Sequence, residues 1–183
     1  MENEIALIVP ENFRIFGNKV NEHLKRLTGS KETFVVKPNL VRFNNGEGKC
    51  IVKDPIRGKD VYILSDVSNH SITYEALDGI SHMSPDEHFQ DIRRMINATC
   101  DQAKKLTIVM PYLYQSRQDK RNGRESLDLS MSLRDLSNSG VRELITADVH
   151  NKSACDNASP QMPINNFYGS CTYSMGLIPR HIN

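Results

Sequence analysis

Short apolar runs alternate with amphipathic stretches along this chain, and that alternation limits the possible folds more than any other feature. Runs of strand length occur at residues 5–9, 33–36, 50–52, 61–64, 106–110 and 143–147. Between them, residues 16–27, 85–103 and 127–136 carry apolar side chains at helical spacing. Strands that alternate with helices pair in parallel through right-handed crossovers. We therefore expect an α/β fold: a doubly wound, mainly parallel sheet with flanking helices.

The second predicted helix has the clearest start signal. Ser84 is a candidate N-cap, Pro85 suits the first helical position, and Glu87 can complete a capping box. The apolar stripe that follows is predicted to continue as far as Ala103.

Composition narrows the class of protein. The 183 residues carry a net charge of +1, which argues against a chain that works by coating nucleic acid. No apolar run approaches the length of a membrane span. The first residues are acidic, no long apolar segment follows them, and the four cysteines form no close pair. We expect a cytoplasmic protein, without membrane or nucleic-acid partners, whose thiols are reduced.

A cationic loop is predicted at residues 114–125, directly after one strand and before a helix. It holds four cations and two anions. Arginine forks and a lysine point charge suit a polyphosphate ligand. A loop that is simply solvated would have the same composition, so the residues alone leave both interpretations open.

Two other short motifs have a functional and a structural interpretation. Asp148 and His150 follow the strand at 143–147, and in extended backbone their side chains would face the same way, towards a metal or a phosphate-bound cation. An ordinary hydrogen-bonded pair at a strand end is the commoner case. The polar turn Phe43–Glu47 offers a ring on which a base could stack. A hairpin turn with a core phenylalanine is the simpler interpretation.

Three segments are longer than ordinary connections: 65–84, 112–124 and 151–166. Such segments are usually functional or mobile, and the last two begin where predicted parallel strands end, which is where open α/β sheets bind ligands. The chain has no P-loop and no complete dinucleotide fingerprint. Any nucleotide site must therefore be of another kind.

Taken in order, four segments resemble the N-terminal domain of ribose-phosphate pyrophosphokinase. Met110–Lys120 is similar to that family's strand and PYxxxxRQDK loop, and Arg57–Ile63 to its RGKDVFI strand. Phe43–Glu47 resembles its FSDGE turn, and Gly140–His150 its strand ending in DLH. The resemblance covers about residues 16–168.

The resemblance implies a type I phosphoribosyltransferase-like fold and transfer of diphosphate from Mg-ATP to ribose 5-phosphate, giving phosphoribosyl pyrophosphate (PRPP) and AMP. It implies a homo-oligomer whose adenine site is shared between subunits, with Mg²⁺ as cofactor. The implied site residues divide into three groups. Arg117 and Gln118 would contact ATP, with Asp119 and Lys120 in the same mobile loop. Phe43, Asn45 and Glu47 would bind the adenine. His150, with Asp148 behind it, would contact the Mg²⁺–phosphate cluster.

Departures from the family pattern suggest a second hypothesis. Asn165 stands where the family has a carboxylate near its cation, and Gln161 stands at the preceding acidic position. The resemblance assigns residues 1–170 to the N-terminal, ATP-binding domain and 171–183 to the start of a connection. The family's acidic loop for ribose 5-phosphate has no counterpart in these residues, so we expect the chain alone not to make PRPP. The alternative is a non-catalytic paralogue, or a regulatory or assembly module, that binds nucleotide or a full-length partner.

Overall fold

A computed structural model describes residues 4–169 as an alternation of strands and helices. The strands are β1 (Ile5–Ile8), β2 (Val35–Val36), β3 (Asn39–Arg42), β4 (Gly48–Ile51), β5 (Asp60–Leu64), β6 (Thr73–Ala76), β7 (Gly79–His82), β8 (Lys105–Val109), β9 (Glu143–Ala147) and β10 (Ile164–Phe167). The α-helices are α1 (Arg14–Thr28), α2 (Pro85–Asn97), α3 (Asp128–Asn138) and α4 (Lys152–Ala158). None of these helices is both long and apolar enough to cross a membrane. The predicted connection at 171–183 lies outside the described residues.

Six of the strands form one sheet in the order β10-β9-β8-β5-β1-β2, and every neighbouring pair is parallel. The chain therefore runs outward from β1 in both directions. The carboxyl ends of all six strands lie along one side of the sheet, which we call its carboxyl edge. The segments predicted to form the site, 112–124 and 151–166, begin there. This confirms the predicted α/β fold with a mainly parallel sheet.

The sheet is buried on both faces, as a parallel sheet with helices on either side requires. Alternate residues of the central strands serve opposite faces. Ile8, Ile63 and Ile108 belong to the larger cluster, with the apolar sides of α2 and α3. Leu7 and Leu64 belong to the smaller cluster, which packs against α1.

A glycine of α1 lies directly against β1. A Cβ at Gly17 would lie 2.3 Å from Cγ1 of Val9, a stiff β-branched side chain that is itself buried. Gly-to-Ala ordinarily stabilises a helix by about 1 kcal/mol, whereas overpacking a core costs about 1–3 kcal/mol. We expect Gly17→Ala to lower the free energy of unfolding by about 1 kcal/mol, measured by urea denaturation. Asn18→Ala, on the exposed side of the same helix, is the control and should not be destabilising.

The capping box of α2 is confirmed, but the predicted length of that helix is wrong. The Ser84 hydroxyl accepts from the Glu87 amide, and the Glu87 carboxylate accepts from the Ser84 amide. The helix ends at Asn97. There the Thr99 hydroxyl bonds back to the carbonyl of Met95, and tighter turns carry the chain to β8. Ala103 therefore lies beyond the helix.

Two hairpins lie outside the main sheet. The strand predicted at 50–52 is β4, and it pairs antiparallel with β3, which was not predicted. In the strand predicted at 33–36, Val35 and Val36 join the main sheet beside β1. The second hairpin, β6–β7, lies inside the segment 65–84 that was predicted to be irregular. Both β3 and β6 have only four residues, of which two are apolar, so their signal in the sequence was weak.

The segment 151–166 also contains regular structure that was not predicted. Asn151 caps α4 by accepting the Ala154 amide at 3.1 Å. The helix has only seven residues, and Cys155 and Ala158 are its buried ones. Such a helix shows almost no apolar stripe in the sequence. Strand β10 then pairs with β9 and is the outermost strand on that side of the sheet.

Candidate functional site

The first residue of the cationic loop is held in place by contacts with α2. The Tyr114 ring stacks on Phe89 of α2 with 4.3 Å between ring centres, and its hydroxyl donates to Asp86 at 2.7 Å. Burial raises the pKa of this hydroxyl, and the bond to Asp86 adds to the shift. Farther along, the Gln118 side chain donates to the carbonyl of Ser126 at 3.2 Å. The start of the loop and its return towards α3 are therefore both held.

The charged centre of the loop faces solvent. Arg117, Lys120, Arg121 and Arg124 are exposed, whereas Asp119 is half-buried. The loop thus presents its cations outward at the carboxyl edge of the sheet, where a polyanion has access to them.

The structure brings the cationic loop against the segment that follows β9. The His150 amide donates to the Ser116 hydroxyl at 3.2 Å, and the Asn151 side chain donates to the Asp119 carboxylate at 2.7 Å. The His150 side chain is exposed beside these contacts. Two segments that are about 30 residues apart in the chain therefore meet because β8 and β9 are neighbours in the sheet.

The prediction that extended backbone turns the side chains of Asp148 and His150 the same way is wrong. Strand β9 ends at Ala147, and Asp148 has a φ of 47°, in the left-handed region. The backbone is therefore not extended across these residues, and the alternation of side chains in a strand does not apply. One Asp148 carboxylate oxygen accepts the Gly169 amide at 2.9 Å, and the side chain remains exposed.

The carboxyl edge of the sheet offers few protein ligands for a metal ion. Within residues 4–169, no three histidine, cysteine, aspartate or glutamate side chains converge as a ligand set. Mg²⁺ often binds proteins through one or two carboxylates together with substrate phosphates and water. Asp148, exposed and only partly hydrogen-bonded, fits such a shared site. It does not fit a cation held by protein groups alone.

The two asparagines of β10 have different surroundings. Asn165 donates to Glu143, near the amino end of β9, at 2.5 Å. Asn166 was not predicted as a site residue, and it accepts the Val149 amide at 3.1 Å. It therefore supports the backbone between Asp148 and His150. Nothing in the sequence separates it from its neighbour, because its role depends on which strand lies alongside. In the nearby helix α4, Lys152 and Asp156 form an ion pair with each other.

The turn Phe43–Glu47 closes the β3–β4 hairpin, but Phe43 is not a core residue, since 45% of it is exposed. The Asn45 side chain accepts the Glu47 amide at 3.1 Å and donates to the Glu47 carboxylate at 3.0 Å. Gly46 has a φ of 86°, which suits glycine best. The turn therefore presents an aromatic ring and two polar side chains to solvent. The turn lies near α2 and the β6–β7 hairpin, and the hydrogen bonds described for it do not involve the cationic loop.

Comparison with known proteins gives the family. A model of the N-terminal domain of ribose phosphate pyrophosphokinase matches residues 5–140. That range is most of the chain, and it includes the turn and the cationic loop. The chain belongs to the ribose-phosphate pyrophosphokinase family. Asp148 and His150 lie beyond the matched range, so their roles depend on the geometry of this edge and on the resemblance described above.

Individual members of the ribose-phosphate pyrophosphokinase family agree with this assignment. The Bacillus subtilis enzyme is 27% identical over 143 residues, covering 76% of this chain and 41% of that protein. Ribose-phosphate pyrophosphokinase 1 of Schizosaccharomyces pombe is 31% identical over 114 residues, covering 61% of this chain and 24% of that protein. The crystal structure of phosphoribosylpyrophosphate synthetase from Mycobacterium smegmatis superposes with a TM-score of 0.69 at 19% identity, over 96% of this chain and 52% of that one. The chain has the family fold and spans less than half the length of these curated relatives.

Proposed function

We propose that this chain is the ATP-binding half of a ribose-phosphate pyrophosphokinase that transfers diphosphate from Mg-ATP to ribose 5-phosphate, giving PRPP and AMP. The observation that carries the proposal is the contact between the cationic loop and the segment 148–151 at the carboxyl edge of the sheet. A triphosphate bound there would meet Arg117 and Lys120 from one side and His150 from the other. Diphosphoryl transfer depends chiefly on positioning and on neutralising charge.

In this proposal each group has a separate task. Arg117 and Gln118 bind the phosphates of ATP, with Asp119 and Lys120 in the same loop. His150, with Asp148 behind it, meets the Mg²⁺–phosphate cluster, and Mg²⁺ supplies neutralisation of the triphosphate charge. The turn residues Phe43, Asn45 and Glu47 bind the adenine of a neighbouring subunit's ATP in a cytoplasmic homo-oligomer. Their exposure supports this last assignment, because solvent-facing groups are open to a second subunit.

Calorimetric titration tests the proposal. The 183-residue chain should bind Mg-ATP, and its affinity should depend on magnesium and fall on dilution into monomers. In a coupled assay the same chain should release no AMP when ATP and ribose 5-phosphate are both supplied. The resemblance implies an acidic ribose-phosphate loop in a second domain, and the match covers only 41% of a curated relative. AMP release that depends on both substrates would refute that expectation. Absence of Mg-ATP binding would refute the proposed function itself.

The second candidate is a non-catalytic paralogue, or a regulatory or assembly module, that binds nucleotide or a full-length partner. Asn165 favours it, since this residue stands at a position where the resemblance implies a carboxylate and its amide is engaged with Glu143. Sequencing the coding frame beyond Asn183 separates the candidates. A following domain with an acidic ribose-phosphate loop supports the enzyme, and a stop codon supports the module.

A further inference from the structure

A buried cluster of charges lies under the turn Phe43–Glu47. Asp91 of α2 accepts from Arg42 of β3 at 2.9 Å and from Arg94 of α2 at 2.5 Å. The side chains of these three residues, which we call the Asp91 cluster, are 9%, 11% and 18% exposed respectively. Charges this deeply buried are costly unless they are paired. One carboxylate therefore holds two guanidinium groups in place.

Arg42 connects this cluster to the turn. Its Nη2 donates to the Asp91 carboxylate, and its Nη1 donates to the carbonyl of Gly46 at 3.1 Å. Arg42 also precedes Phe43 directly, so its position sets where the turn begins. The Asp91 carboxylate and the ring of Tyr74, whose centre lies 5.4 Å from Cζ of Arg42, together orient the planar guanidinium so that it makes both bonds.

The other strand of the hairpin is held by the same carboxylate. The guanidinium of Arg94 packs against Gly48, where a Cβ would lie 3.1 Å from Cζ. The same Cβ would lie 2.8 Å from the Val41 carbonyl oxygen, so the backbone of β3 requires glycine here and Arg94 occupies the space above it. A third contact comes from the β6–β7 hairpin, where the Leu77 amide donates to the carbonyl of Asn44 at 3.1 Å.

The turn is closed by its own hydrogen bonds, so these outside contacts set its position on the protein. The Phe43 amide donates to the Glu47 carbonyl at 2.7 Å, the Gly46 amide donates to the Phe43 carbonyl at 2.8 Å, and side-chain bonds join Asn45 and Glu47. Phe43, Asn45 and Glu47 are all exposed. A binding loop that is ordered before its ligand arrives loses less conformational entropy on binding. Arg42 fixes the position of this closed turn, because one guanidinium binds both the Gly46 carbonyl and Asp91 of α2.

We propose that Asp91 is a positioning residue for base recognition, which holds the turn Phe43–Glu47 through Arg42 in the shape that receives adenine. This inference rests on the proposed function, because it takes the turn as the adenine contact. Asp91 does not touch the nucleotide. It acts through the Gly46 carbonyl, and its loss should affect contacts to the base and not contacts to the phosphates.

The test compares ATP, GTP and inorganic tripolyphosphate as ligands of the 183-residue chain. Asp91→Asn keeps the size of the side chain but leaves two buried arginines without their carboxylate. We expect the affinity for Mg-ATP to fall about tenfold and the preference for ATP over GTP to shrink, since a poorly ordered site loses specific contacts. The affinity for Mg-tripolyphosphate should stay within about twofold of the unsubstituted chain, because its contacts are on the cationic loop.

Three further variants make the result interpretable. Asp135→Asn is the matched control, since it breaks the 2.7 Å pair with Arg93 between α2 and α3, away from the turn. It should leave all three affinities unchanged. Arg42→Lys keeps a cation for Asp91 but cannot hold both bonds of the fork, so it should weaken ATP binding without unfolding the chain. Asp91→Glu should restore part of the ATP preference. Amide hydrogen exchange at Gly46 and Glu47 should speed up in Asp91→Asn and not in Asp135→Asn.

The outcomes separate this inference from the proposed function. Failure of the unsubstituted chain to bind ATP contradicts the proposed function and, with it, the adenine role. If the chain binds ATP but Asp91→Asn and Arg42→Lys keep its affinity and base preference, only the role of Asp91 is overturned. Equal losses for ATP and tripolyphosphate in Asp91→Asn also overturn it, because they indicate general destabilisation.

Discussion

Arg117→Ala is expected to weaken Mg-ATP binding by about 10- to 100-fold, since a charge-assisted hydrogen bond to a phosphate contributes about 1.5–3 kcal/mol. Arg117 lies in the exposed centre of the cationic loop, one residue after Ser116, whose hydroxyl accepts the His150 amide. Its side chain is open to solvent, and the proposed function assigns it to the phosphates of ATP. Isothermal titration of both proteins with ATP at saturating magnesium measures the difference.

The matched control for this prediction is Arg124→Ala. Arg124 is an exposed arginine of the same loop, so its removal changes the net charge by the same amount. It has no assigned contact, and its loss should weaken binding by no more than about threefold through long-range electrostatics alone. Equal losses in the two variants would mean that the loop attracts anions without a specific site.

Thr107→Val is expected to raise the free energy of unfolding by about 1–2 kcal/mol, against the usual direction for a core substitution. Thr107 is 1% exposed in β8, at the centre of the sheet, and its hydroxyl has no hydrogen-bond partner among residues 4–169. A buried hydroxyl without a partner has lost its hydrogen bonds to water and gained none in the protein, so its burial is destabilising. Valine has nearly the same shape and suits a buried strand. Urea denaturation followed by circular dichroism measures the change.

Thr146 provides the control for that substitution. It lies on the neighbouring strand β9 with the same 1% exposure, but its hydroxyl donates to the carbonyl of Pro111 at 3.3 Å. Thr146→Val should therefore be destabilising, because it removes that hydrogen bond, while the Pro111 carbonyl keeps only its bond from the Ala147 amide at 3.0 Å. If both valine variants shift stability in the same direction, the unpaired hydroxyl of Thr107 is not the cause.

The main sheet was predictable because its strands are buried on both faces. Residues such as Ile63 and Ile108 stand in continuous apolar runs, and α2 has a full capping box at Ser84. These signals are local and strong. Strand β3 and helix α4 were missed since each has few apolar residues and depends on partners elsewhere in the chain, respectively β4 and α3.

Parts of the candidate site were predictable for a different reason. The order of strands in a parallel sheet places the ends of β8 and β9 side by side, so the meeting of the cationic loop with His150 follows from topology. The orientation of Asp148 did not follow, because a left-handed φ at one residue redirects the chain. The support from Asn166 and Asp91 depends on tertiary packing, which no local pattern encodes.

The central claim is that the cationic loop and the imidazole of His150 act on one Mg-ATP molecule. A double-mutant cycle tests it most directly: the Mg-ATP affinities of Arg117→Ala, of His150→Ala and of the combined variant are compared with that of the unsubstituted chain. The account predicts that both single variants bind more weakly and that their losses are not additive, with a coupling of about 0.5 kcal/mol or more. Strictly additive losses, or unchanged affinity and magnesium dependence in both single variants, would contradict it.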